Sequence, residues 1–262
     1  MQEIIITTVV IGVIGLIIGI ALVAAGKKFY VAVDEKAIAV RECLPGNNCG
    51  ACGYAGCDAV AAAIAAGDAS VNACPVCSAD AVAKIGGVMG VEAEAAQRKT
   101  AQVKCSGDCE HTSAKCNYVG IEDCRAAALA GLNTGSCTFG CLGYGSCVKV
   151  CTYDAIHVVN GVAKVDTSKC VGCGMCAKAC PKGLIEVVRA DRTFVVQCSN
   201  KDRGPAVKKV CSAGCLGCGA CVKQCEHDAI HVEGNLAYID YDKCVGCGKC
   251  AEKCPAKNIV RQ

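Results

Sequence analysis

The chain has 262 residues, 28 of them cysteine, with a formal net charge of +3, 4% aromatic residues and no tryptophan. So small a net charge gives no electrostatic footprint for nucleic acid, and so few aromatics argue against a large aromatic core. This cysteine fraction would suit a disulfide scaffold in a short secreted protein, but the chain is long and its cysteines recur in C-x-x-C-x-x-C runs, which read as metal ligation. Thiolates that bind metal only in the folded state add their binding free energy to folding.

The first predicted element is the uncharged apolar run Ile4–Ala25, 22 residues long. About 20 such residues span a hydrocarbon core as a helix. Lys27 and Lys28 follow it directly and only Glu3 precedes it. The positive-inside tendency then predicts a single pass through the cell (inner) membrane with the bulk of the chain on the cytoplasmic side. A cleaved signal peptide would carry a basic start and a shorter apolar core. Gly12, Gly15 and Gly19 give the span a small-residue face suited to close helix contact.

Residues 29–42 lead to the first cysteine group, Cys49-x2-Cys52-x4-Cys57-x16-Cys74-Pro75. Its third cysteine opens an Ala-rich helix predicted over Asp58–Ala66, and the fourth returns after it. Four thiolates across one helix make a self-contained [4Fe–4S] site. Cys43 and Cys77 read as bystander thiols. Residues 79–99 read as helix and linker. Cys105, Cys109, Cys116 and Cys124 then follow at a spacing that matches no motif. A sixth cluster on those four is one reading; supplementary ligands or free thiols are the other.

The remainder is an internal repeat. Cys137–Cys180 and Cys211–Cys254 superpose at a constant offset of 74 without a gap, the mark of a duplicated unit. Each unit reads as cysteine loop, short helix, strand, turn, strand, cysteine loop, short helix. The strands are predicted over 155–159 and 162–165 around Asn160-Gly161, a strong hairpin signal, and again over 229–233 and 236–240. The predicted organisation is α+β: an anchor over 1–28, a single-cluster domain over 29–78, a helical, cysteine-bearing link over 79–136, and two ferredoxin-like units over 137–190 and 191–262.

Cys170-x2-Cys173-x2-Cys176-x3-Cys180-Pro181 is the bacterial ferredoxin run, repeated at Cys244, Cys247, Cys250, Cys254 and Pro255. Three thiolates on one loop take three irons of a cubane, and the fourth cysteine ligates the other cluster of the pair. Zinc sites favour paired C-x-x-C knuckles instead. The upstream partner run is intact in the second unit, as Cys215, Cys218, Cys221 and Cys225. Crossed ligation predicts one site on Cys215, Cys218, Cys221 and Cys254 and another on Cys244, Cys247, Cys250 and Cys225. In the first unit one site falls on Cys170, Cys173, Cys176 and Cys151. The other lacks a ligand, because Tyr144 stands where the second unit has Cys218. Cys141, Cys147 and Cys180 remain, with Cys137 as the expected substitute and Cys124 or Cys105 as its competitors. Cys137's repeat mate Cys211 then has no vacancy to fill.

The motif over 44–75, the single N-terminal span and the ferredoxin repeats together resemble the B subunit of the Rnf complex, over nearly the whole chain. The resemblance implies a translocase that oxidises reduced ferredoxin, reduces NAD and exports Na⁺ or H⁺, with this subunit as the entry port for electrons. It implies at least five [4Fe–4S] clusters, with the anchor-proximal one on Cys49, Cys52, Cys57 and Cys74, and other Rnf subunits as partners. No G-x-G-x-x-G follows a predicted strand and there is no P-loop, so NAD and flavin chemistry is expected on those partners. The 44–57 motif also resembles the small iron–sulfur domain of corrinoid proteins, which gives an alternative: an electron donor or activator in an anaerobic redox system. Basic residues from Lys201 to Lys257 mark an expected docking face for acidic ferredoxin. The repeat-related His157 and His231 read as solvent-facing strand residues.

Overall fold

The computed structural model describes residues 2–28, 34–93, 97–131 and 135–262. Helix α1 runs over Gln2–Lys28, and its stretch Ile11–Lys28 is long and apolar enough to cross a membrane. Large side chains such as Leu16, Ile20 and Leu22 are more than 60% exposed along it, a face that water would not tolerate and lipid would.

The next domain is three helices around one cysteine loop. Helix α2 (Glu35–Cys43) occupies what the sequence suggested only as a connection; Asp34 caps it by accepting the Lys36 N–H at 2.9 Å. Helix α3 (Cys57–Ala66) matches the predicted Ala-rich helix and ends on Gly67 in the left-handed region. Helix α4 (Ala79–Met89) is capped by Ser78 and ends on Gly90. Val40, Ile64 and Ile85, from the three helices, are at most 1% exposed and pack together. Each such side chain stabilises the domain by roughly 1.5–3 kcal/mol. The expected boundary at 78 therefore falls inside the packed domain, which runs on through α4.

The first ferredoxin-like unit comprises β1 (Lys99–Val103), α5 (Cys124–Leu129), α6 (Ser146–Lys149), β2 (Ile156–Val159), β3 (Val162–Val165), α7 (Met175–Ala179) and β4 (Ile185–Arg189). The second comprises β5 (Phe194–Val196), α8 (Gly204–Val210), α9 (Ala220–Lys223), β6 (Ile230–Glu233), β7 (Leu236–Ile239), α10 (Lys249–Glu252) and β8 (Ile259–Arg261). The hairpins β2–β3 and β6–β7 form in the predicted places. Asn160 and Gly161 take φ of 51° and 80°, the paired positive values of a tight turn that suits strand twist.

Each unit is closed by a strand pair that the sequence reading lacked. Strand β1 pairs antiparallel with β4, with Val103 opposite Ile185, and β5 pairs with β8, with Val196 opposite Ile259. The first unit thus begins at 99, not at 137. Its opening strand lies against its cluster loop: a Cβ on Gly172 would meet the Lys99 carbonyl oxygen at 2.7 Å, and φ is +67° there. Gly246 is placed likewise against Thr193 in the second unit.

The strand pairing aligns Cys105 with Cys198, each two residues past its opening strand. Cys137 follows Cys105 by 32 positions, while Cys211 follows Cys198 by only 13. The extra residues of the first unit carry Cys109, Cys116 and Cys124.

Candidate iron–sulfur sites

In the second unit two mostly apolar, partly open cavities are lined by thiols. Cys225, Cys244, Cys247 and Cys250 line one of about 390 Å³ of atom-free space. Cys215, Cys218, Cys221 and Cys254 line another of about 320 Å³. These are the two crossed sets expected from spacing. The crossing arises because the fourth cysteine of each run sits at or just past the end of a short helix, turned away from its own loop.

In the first unit Cys151, Cys170 and Cys173 are near enough to Cys176 to raise its thiol, behind burial itself, to about 11. Around the second site, burial first and then the nearby Cys141, Cys124 and Cys180 push the Cys147 thiol up to about 12. Cys124 thus stands near Cys147 with Cys141 and Cys180, while Cys137 lines a neighbouring cavity with Cys141. Cys124 opens α5, which Asp123 caps by accepting the Arg125 and Ala126 N–H groups. Tyr144 turns its ring onto Tyr118, with centroids 5.3 Å apart, and both pack with Cys124, Ala127 and Leu142.

Cys109 and Cys116 lie exposed. Of the other two cysteines considered for a sixth cluster, Cys105 is half-buried and Cys124 buried.

In the N-terminal domain Cys57 and Cys74 are buried, with Cys52, Cys43 and Cys77 against the same core. The Cys77 thiol hydrogen-bonds the Cys74 sulfur and pulls it down to about 6, while Cys77 is driven up by the same contact. Asn48 Oδ1 accepts the Cys57 N–H at 2.8 Å and ties the loop to α3. Asn47 Nδ2 donates to the Tyr153 hydroxyl at 2.6 Å. Tyr153 stands near both Cys49 and Cys173, so the N-terminal loop docks on the Cys170 loop of the first unit.

Sulfur atoms at these sites accept backbone hydrogen bonds. Ala101 donates to Cys170 at 3.3 Å, Ala155 to Cys151 at 3.4 Å, Leu184 to Cys180 at 3.4 Å and Ala229 to Cys225 at 3.4 Å. Such bonds favour the thiolate and tune a cluster's potential. Among the described residues no three Cys, His, Asp or Glu side chains converge as one metal ion would demand. Four thiols spread around a cavity fit a cubane, in which each iron takes one thiolate, better than a single zinc with sulfurs at about 2.3 Å. His157 is exposed and His231 half-buried; each stands within reach of an aspartate three residues earlier, Asp154 and Asp228.

Residues 44–76 match the family model FeS, described as "Putative Fe-S cluster". Residues 163–186 match a 4Fe-4S binding domain, and residues 214–258 match a 4Fe-4S dicluster domain. The B subunit of the Na(+)-translocating ferredoxin:NAD(+) oxidoreductase complex of Acetobacterium woodii is 46% identical over 89% of this chain and 71% of its own length. The chain belongs to the family of B subunits of ion-translocating ferredoxin:NAD(+) oxidoreductase complexes. Within that family, the B subunit of the proton-translocating complex of Clostridium ljungdahlii is 41% identical over 92% of this chain and 85% of its own length. That of Methanosarcina acetivorans is 38% identical over 94% of each. The dicluster match covers the second unit, whereas the match to the first begins only at 163, past the loop in which Tyr144 replaces a cysteine.

Proposed function

We propose that this subunit accepts electrons from reduced ferredoxin and relays them to its neighbours in the membrane complex, toward NAD reduction coupled to Na⁺ or H⁺ export. A [4Fe–4S] cubane, when bound, supplies a one-electron carrier; the chain's own part is to space, bury and hydrogen-bond such carriers. Five ligand sets are assigned. They are the four N-terminal cysteines; Cys151 with Cys170, Cys173 and Cys176; Cys124 with Cys141, Cys147 and Cys180; and the two crossed sets of the second unit.

The observation that carries this reading is the order of neighbours. Cys247 and Cys218 are exposed at the C-terminal unit, while Cys147, Cys170 and Cys176 are buried in the first. Cys49 stands beside Cys173 at the far end, in the domain that follows α1 in the chain. Electrons entering at the open rim thus travel toward the membrane. Lys201, Arg203, Lys208, Lys209, Lys243, Lys249, Lys253 and Lys257 are all exposed on the second unit and supply a basic face there for an acidic donor. Lys27 and Lys28 hold the soluble part on the cytoplasmic side. Hydride and flavin chemistry is assigned to partner subunits.

The test is anaerobic purification of the full chain, iron counting, and mixing with reduced ferredoxin. Five cubanes require about twenty irons, and electron uptake should follow mixing. Fewer than about twelve irons, or no uptake, would overturn the reading.

A further inference from the structure

The cavity between the two ferredoxin-like units has the make-up of the cluster cavities within them. Its atom-free space, the open mouth included, is about 430 Å³, against about 390 and 320 Å³ in the second unit. Its wall is predominantly apolar and includes Cys105, Cys137, Cys198 and Cys211. Cys198 and Cys211 are 7% exposed. The four form two repeat-related pairs, Cys105 with Cys198 and Cys137 with Cys211, so each unit contributes the same two positions. None belongs to a ferredoxin run.

Every one of the four sulfurs already accepts a hydrogen bond. The Cys141 N–H donates to Cys105 Sγ at 3.5 Å, and the Cys215 N–H donates to Cys198 Sγ at 3.3 Å. Asn200 is 2% exposed, and its Nδ2 donates to Cys137 Sγ at 3.4 Å. The Ala213 backbone donates to Cys211. Cys198 and Cys211 are buried and Cys105 and Cys137 half-buried, and sulfurs with N–H groups aimed at them are what a bound cubane uses. The wall is also closely fitted: a Cβ on Gly107 would come within 3.3 Å of Cys211 Sγ and 3.7 Å of Cys105 Sγ.

We infer that Cys105, Cys137, Cys198 and Cys211 hold a sixth [4Fe–4S] cluster that bridges the two ferredoxin-like units. The inference rests on the proposed relay for its role, and on the cavity alone for its existence. Cys141 and Cys215, whose N–H groups reach into the site, are assigned to the flanking clusters of the first and second unit. The site therefore joins two otherwise separate cluster pairs into one line. Transfer there makes and breaks no bond: the flanking centre on one side loses the single electron that the bridging centre gains, and the bridging centre then gives one to the other side.

The test compares the full chain with Cys105→Ser/Cys198→Ser, with Cys211→Ser, and with Cys109→Ser/Cys116→Ser as a surface control, all purified anaerobically. Iron, acid-labile sulfide and zinc are counted, and low-temperature electron paramagnetic resonance is recorded. The unsubstituted chain should carry about twenty-four irons and the control the same; both cavity variants should lose about four irons and four sulfides. An unsubstituted chain that stops at about twenty irons overturns the bridging cluster while leaving the five-cluster relay standing, and this count decides even if a variant does not fold. One zinc per chain that the cavity variants lose also overturns it. A count below about twelve would instead overturn the relay itself.

Discussion

The backbone N–H of Cys124 donates to Ser146 Oγ at 2.7 Å, and that hydroxyl donates in turn to Asp123 Oδ2 at 2.7 Å. Asp123 is the N-cap of α5, and Ser146 opens α6 beside Cys147. One hydroxyl thus fastens the segment peculiar to the first unit onto the Cys147 loop and sets Cys124 beside it. The Ser146 hydrogen bond is the largest influence holding the Asp123 carboxyl below its usual range.

Cys124→Ser should therefore lose one cluster, about four irons, and Tyr144→Cys placed on that background should restore it. Iron counting on the three chains checks this. If Cys124→Ser keeps its full iron content, Cys124 is not a ligand. Ser146→Ala leaves a buried N–H unpaired, at a cost of about 1–3 kcal/mol. It should lower the thermal midpoint of the loaded chain without removing a thiol.

Asn258 is 1% exposed, and its Oδ1 accepts the Cys254 thiol at 3.3 Å while its Nδ2 has no partner among the described residues. Ligation removes the thiol proton, so the amide must turn and offer its N–H to the sulfur. A hydrogen bond to sulfur raises a cluster's potential. Asn258→Leu should lower the potential of the cluster on Cys215, Cys218, Cys221 and Cys254 by some tens of millivolts, the one-electron equivalent of about 1 kcal/mol. Redox titration followed by electron paramagnetic resonance reads the shift; an unchanged or raised potential removes Asn258 from that role.

Ferredoxin oxidation should slow as salt is raised, because opposite charges on two surfaces are screened beyond about 8–10 Å at physiological ionic strength. Charge reversal at Lys208 and Lys209, exposed at the end of α8, should reduce the second-order rate at low salt and flatten its salt dependence. A rate indifferent to both salt and these substitutions would move the docking face elsewhere.

Protease added outside intact cells should spare residues 34–262, while protease added to inverted membrane vesicles should release fragments of them. Lys27 and Lys28 at the end of α1 set this expectation. The opposite pattern would reverse the topology.

The sequence by itself determined the long apolar N-terminal helix, the Ala-rich helix α3, both hairpins and the contiguous cysteine runs. Those features are local: an apolar run, an Asn-Gly turn or three thiols on one loop is complete within a few tens of residues. Strands β1, β4, β5 and β8 were not legible, because they are short and pair across more than sixty residues, leaving no nearby periodic signal. The same long-range pairing decided the places of Cys105 and Cys198, which mean nothing in sequence until their strands bring them to one cavity. Spacing alone assigned Cys137 to the Tyr144 vacancy because it is the nearest thiol along the chain. Only the fold of the extra segment, capped by Asp123 and tied down through Ser146, brought Cys124 near Cys147 and left Cys137 lining one cavity with Cys105, Cys198 and Cys211.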